Sequence, residues 1–113
     1  MPYRSIVESP TQAIATWLAG ETACAAAAAH WYRRDGLPGL RRYIERYIRE
    51  AKRGVAVRGA LAQWGWLAAS GHAEPPDPLV LALRQTNWAY LARCVAPAPR
   101  DAGRPHPDYL LDE

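Results

Sequence analysis

Apolar positions recur at three- and four-residue spacing through most of the chain, and Pro, Gly and Ser-Pro signals cut that pattern into helices. The clearest stretch covers residues 40–55. Leu40, Tyr43, Ile44, Tyr47, Ile48, Ala51 and Val55 share one face there, while Arg41, Arg42, Arg46, Arg49, Lys52 and Arg53 fill the opposite arc. Leu37-Pro38-Gly39 opens this helix, and Glu45 stands four residues before Arg49, the favourable order for a helical ion pair. Upstream, Ser9-Pro10 combines a capping hydroxyl with a first-turn proline and predicts a helix over residues 10–33, ending at Asp35-Gly36. Ile14, Trp17, Leu18, Cys24, Ala25, Ala28, Trp31 and Tyr32 lie on one side of it. The other side is mostly Ala and Thr, so this helix can be packed on two faces.

Gly54 and Gly59 interrupt the pattern next, and an unbroken helix would carry Arg58 onto the apolar face, so a kink or short break is expected there. Helix resumes over residues 60–69 with Leu61, Trp64 and Leu67 and stops at Ser70-Gly71. Trp64 and Trp66 stand about 200° apart on that helix, so a single core takes only one of them. A proline-rich connector leads to Asp77-Pro78, a second cap-plus-first-turn signal, and a last helix over residues 78–95. Its apolar arc holds Leu79, Val80, Leu83, Asn87, Trp88, Tyr90, Leu91, Cys94 and Val95. The expected architecture is all-α, a three- or four-helix bundle: one helical domain over residues 1–95 and a Pro-rich extended tail over residues 96–113.

Composition agrees with this outline. A chain of 113 residues supports one core, and half of its residues are apolar. Phe is absent, Ala is abundant, and five Trp with six Tyr supply the bulk. Cys24 and Cys94 read as small buried hydrophobes in a reducing cytosol, with a disulfide between them as the second reading. The longest apolar run, residues 23–29, falls far short of the roughly 20 residues that span a bilayer, and the start of the chain carries no signal-peptide pattern. A cytoplasmic location without a membrane partner is expected.

Charge sharpens the picture. The net charge is +3, but residues 33–58 hold nine basic side chains against Asp35, Glu45 and Glu50, giving that segment +6 and the remainder −3. All of the basic residues but Lys52 are arginine, whose forked donors suit phosphate and carboxylate; a high-GC coding sequence would also enrich Arg over Lys. So one-sided a helix face points to contact with a nucleic-acid backbone through Arg41, Arg42, Arg46, Arg49, Lys52 and Arg53. No helix-turn-helix, zinc-finger or RNA-recognition pattern accompanies it, so phosphate and shape, not base sequence, would be read. Trp64 and Trp66, together with the acid-flanked Tyr109, Leu110 and Leu111, are candidate protein-contact residues.

These features predict a small, non-catalytic accessory subunit of a larger complex, a ribonucleoprotein or a DNA-associated assembly, with nucleic acid and protein subunits as partners and room for a homo-oligomer. In size, helicity and charge the chain is similar to the small subunits of CRISPR effector complexes, a likeness of class carried by no shared motif. The second reading is a protein-binding regulator or inhibitor of the mobile-element type, using the Arg face on an acidic protein. Enzymatic activity is not expected. Glu21 and Asn87 lie within apolar faces, but no second acid, base or metal ligand is signalled beside either. His30, His72 and His106 have no metal-site spacing, and no cofactor motif is present.

Overall fold

Ser9 opens the first helix: its Oγ accepts from the Gln12 amide at 3.1 Å, and Pro10 sits in the first turn, where no amide donor is needed. The computed structural model describes residues 9–71, 73–74 and 76–97. Within them the fold is an all-α bundle of five α-helices, with no strand among the described residues. The helices are α1 (Pro10–Gly20), α2 (Thr22–Glu50), α3 (Val55–Ala68), α4 (Pro78–Arg84) and α5 (Trp88–Val95). The Pro-rich tail beyond Pro97 lies outside the described residues.

Two expected helices are broken. The run over residues 10–33 parts at Glu21, whose φ of −125° and ψ of 81° are not helical. Gly20, a poor helix former, precedes the break. Parting there lets α1 pack against α3 and α5 while α2 packs chiefly against α5, which uses both faces of the alanine-rich stretch. The run over residues 78–95 parts at residues 85–87. The buried Thr86 hydroxyl donates back to the Ala82 carbonyl at 2.9 Å, a local bond that competes with continued helix. Asn87 then caps α5 by accepting from the Tyr90 amide at 3.0 Å, and its own amide donates to Thr11 Oγ1 on α1 at 2.8 Å. Asn87 is therefore an exposed cap and not a polar residue within an apolar face. The same break resets the helix phase, so Tyr90 and Cys94, both expected to face inward, are exposed. Cys24 is buried as expected, and no disulfide joins the two cysteines.

Helix α2 bends at Gly36, where φ is 74°, a left-handed backbone that glycine adopts without the penalty of a Cβ. Pro38 sits in the first turn of the arm that follows, so its missing amide costs that arm nothing. The second arm supplies the centre of the core: Leu40, Tyr43, Ile44, Tyr47 and Ile48 are each at most 4% exposed. The Trp17 ring from α1 packs on Tyr47 with centroids 4.9 Å apart. Ala51, with ψ at 141°, ends α2, and a 3-10 turn over Lys52–Gly54 leads into α3. The break thus falls before Gly54, and Gly59 lies inside α3. Val55, expected on the core face, is carried outward by this turn and is 58% exposed.

Helix α3 lies so close to α4 that a side-chain carbon at Gly65 would collide with the Pro78 carbonyl, whereas one at Gly59 would meet open space. Gly65→Ala is therefore expected to destabilise the fold by about 1–3 kcal/mol through overpacking. Gly59→Ala should be neutral or stabilising by up to about 1 kcal/mol through helix propensity. Urea or thermal denaturation of the two variants checks the contrast.

Candidate nucleic-acid interface

Burial of one face of α2 fixes where its charges go. Arg41, Arg42, Arg46 and Arg49 are exposed on the arc opposite Tyr43, Ile44 and Tyr47, and Lys52 is exposed in the turn that follows. The Arg53 side chain lies outside the described residues. The face is as the periodicity implies, but its electrostatics differ. Glu45 pairs backward with Arg41 (Nε to Oε2, 2.7 Å) and not forward with Arg49. The Arg41 guanidinium also lies 5.6 Å from the centre of the Trp88 ring, a cation–π contact that holds it on the side of Glu45. Arg42 reaches Asp35 at 3.0 Å, and Arg46 reaches Glu50 at 3.2 Å. The Arg49 guanidinium and the Lys52 ammonium have no carboxylate partner among the described residues.

The Arg42 and Arg46 pairs stand in solvent, with the arginine side chains 62% and 52% exposed, while Glu45 beneath Arg41 is partly withdrawn at 27%. Pairs so placed contribute about 0–1 kcal/mol each, so they orient the guanidinium groups without locking them. The helix macrodipole favours cations near its C-terminal end, which accounts for Arg49 and Lys52 but not for Arg42. Along one helix face, Arg42, Arg46 and Arg49 are like charges three and four residues apart. That spacing works against helix stability by a few tenths of a kcal/mol per pair.

Two other basic residues are structural. Arg58, expected to disturb the apolar face, turns back so that its Nη1 donates to the Ile48 carbonyl at 2.5 Å and the Arg49 carbonyl at 3.3 Å. These carbonyls belong to the last turn of α2, which has no amides of its own helix to satisfy it. Arg33 Nη2 donates to the Ala96 carbonyl just beyond α5 at 3.0 Å. The basic segment therefore divides into charges that hold helix ends and charges that face solvent. Sequence periodicity alone marks this division only through the awkward phase of Arg58.

The tryptophans divide as well. Trp64 is half-buried against the core, and Trp66 is 71% exposed. Arg58 is the only charged residue of α3, so once it turns inward the solvent face of that helix carries no charge. Val55, Ala56, Gly59, Ala60, Gln63, Trp66 and Leu67 form this face. Tyr109, Leu110 and Leu111 lie outside the described residues.

Glu21 stands half-buried at the junction of α1 and α2 and makes no capping bond with its side chain. His30 is exposed, edge-on to the Trp31 ring, while His72 and His106 lie outside the described residues. Among the described residues no group of three or more His, Cys, Asp or Glu side chains is placed to hold a metal ion, and no helix is long and apolar enough to cross a membrane.

Comparison with protein-family models, curated proteins and solved structures finds no match to this chain. The residues themselves carry the functional reading. Because Arg58 caps α2, Arg58→Ala should cost about 1–2 kcal/mol of stability. Arg46→Ala, which loses an exposed pair, should change it by less than about 0.5 kcal/mol. Equal losses in chemical denaturation would contradict this division of the basic residues.

Proposed function

We propose that the second arm of α2 lies along a nucleic-acid backbone and that the chain acts as a non-catalytic accessory subunit of a larger nucleic-acid-handling assembly. The observation that carries this reading is the row Arg42, Arg46 and Arg49, displayed on a helix whose other face is buried in the core, with Lys52 exposed in the turn that follows. A helix anchored in this way presents its cations at fixed spacing, so little orientational freedom is lost on binding. From Arg42 to Arg49 the rise is about 10 Å. Arg42, Arg46 and Arg49 can each neutralise one phosphate, about three contacts in all. Phosphate oxygens can replace the exposed carboxylates of Asp35 and Glu50 as acceptors for Arg42 and Arg46 at small cost. The uncharged face of α3, with Trp66 exposed on it, supports association with protein, whether other subunits or a second copy of the chain.

Fluorescence anisotropy with labelled single- and double-stranded oligonucleotides tests the reading. About three phosphate contacts give a log–log salt slope near −2.7 on duplex, so affinity should fall about 40-fold between about 50 and 200 mM salt. Arg49→Glu with Lys52→Glu should weaken binding by at least about tenfold. Glu50→Gln, which frees Arg46, should tighten it about two- to fivefold. Binding that is absent, or indifferent to salt, contradicts the proposal. Loss of a protein partner's capture on charge reversal, unaffected by nuclease, would move the Arg face to an acidic protein instead.

A further inference from the structure

We infer that the uncharged face of α3 is a self-association surface and that two copies of this chain pair there with their α3 helices antiparallel. The face is asymmetric along its length in a way that makes it complementary to itself. Its N-terminal half carries the small side chains Val55, Ala56, Gly59 and Ala60, and its C-terminal half carries Trp66 and Leu67. An antiparallel two-fold pairing sets the bulky half of each copy against the small half of the other. Paired about Leu61, Trp66 meets Ala56 of the second copy, Leu67 meets Val55, and Gln63 meets Gly59. Gly59 faces open space in the single chain, so it leaves room for close approach.

Charge favours the same orientation. Lys52 stands in the turn that leads into α3, where the helix dipole is also positive. The exposed Glu74 follows its end, where the dipole is negative. Antiparallel pairing brings opposite ends together, and parallel pairing would bring like ends together. A leucine-rich segment would cover apolar surface as well, but only a second copy matches the shape gradient and the charge gradient at once. The size of the face sets the strength. With Trp66 71% exposed, a ring of about 250 Å² leaves roughly 180 Å² uncovered. One helix face with its charged rim reaches only the low end of specific interfaces, at or below about 1,200 Å² in total, which corresponds to a dimer in the micromolar range.

Sedimentation equilibrium of the full chain, free of nucleic acid, tests this from about 1 μM to about 1 mM, the range that brackets such a constant. A monomer–dimer equilibrium is expected. Trp66→Glu should weaken it at least about tenfold. Gly59→Leu is the sharper probe: it adds apolar surface, improves helix propensity and starts from a Cβ position that is open in the single chain, yet it should also weaken pairing at least about tenfold by blocking approach. Circular dichroism and denaturation report whether both variants keep the fold, as their exposure requires. Three results would overturn the inference: a monomer throughout the range, association tightened by Gly59→Leu as for a non-specific sticky patch, or a monomer whose Trp66 emission shifts to the red when residues 98–113 are removed. The last would assign the face to the chain's own tail.

Discussion

Leu40, Tyr43, Ile44, Tyr47 and Ile48 repeat along one helix at three- and four-residue spacing, and each is almost wholly withdrawn from water. Burial of side chains of this size is worth about 1.5–3 kcal/mol apiece against exposure, so the second arm of α2 has one orientation that the chain can adopt. The remaining helices are arranged around it. Helix α1 brings Trp17 onto Tyr47, α5 packs along α2, and α3 joins through the short turn after Ala51. Since the apolar face cannot turn outward, the charged face cannot turn inward. The basic row is displayed because the core demands it, and its rigidity comes from the same source.

Polar detail around that core completes helix ends. Ser9, Asp77 and Asn87 cap α1, α4 and α5 with side-chain oxygens, and Arg58 supplies donors to the carbonyls that close α2. The inward turn of Arg58 has a second effect. It removes the only charge from α3, leaving a solvent face on which Trp66 is the largest group. The chain therefore presents two surfaces of opposite character in sequence order, a cationic one on α2 and an uncharged one on α3.

The α2 arm and its two faces were legible because the twelve positions 40–51 hold strict helical period, and Pro38 and Gly36 mark its start by chemistry that acts locally. Ser9 and Asp77 were legible as caps for the same reason. The breaks at Glu21 and at residues 85–87 were not. Periodicity carries across both, and tertiary partners act there beside the local effects of Gly20 and Thr86: the separate packing of α1 and α2, and the bond from the Asn87 backbone amide to Thr11 at a distance of 76 residues in sequence. The outward positions of Cys94 and Tyr90 follow from the second break. In the site, the identity of the exposed cations was readable, but their pairing was not. Glu45 could reach either neighbour on its helix, and the choice of Arg41 rests on the Trp88 ring, which a distant segment brings there.

The claim on which the functional reading turns is that outward-facing and structural arginines are distinct. Side-chain Nε–Hε resonances, followed by NMR while a short oligonucleotide is added, address it residue by residue. Arg42, Arg46 and Arg49 are expected to shift together, with Arg33 and Arg58 unmoved in their carbonyl contacts. Shifts confined to Arg33 and Arg58, or spread evenly over every arginine in the chain, would contradict it.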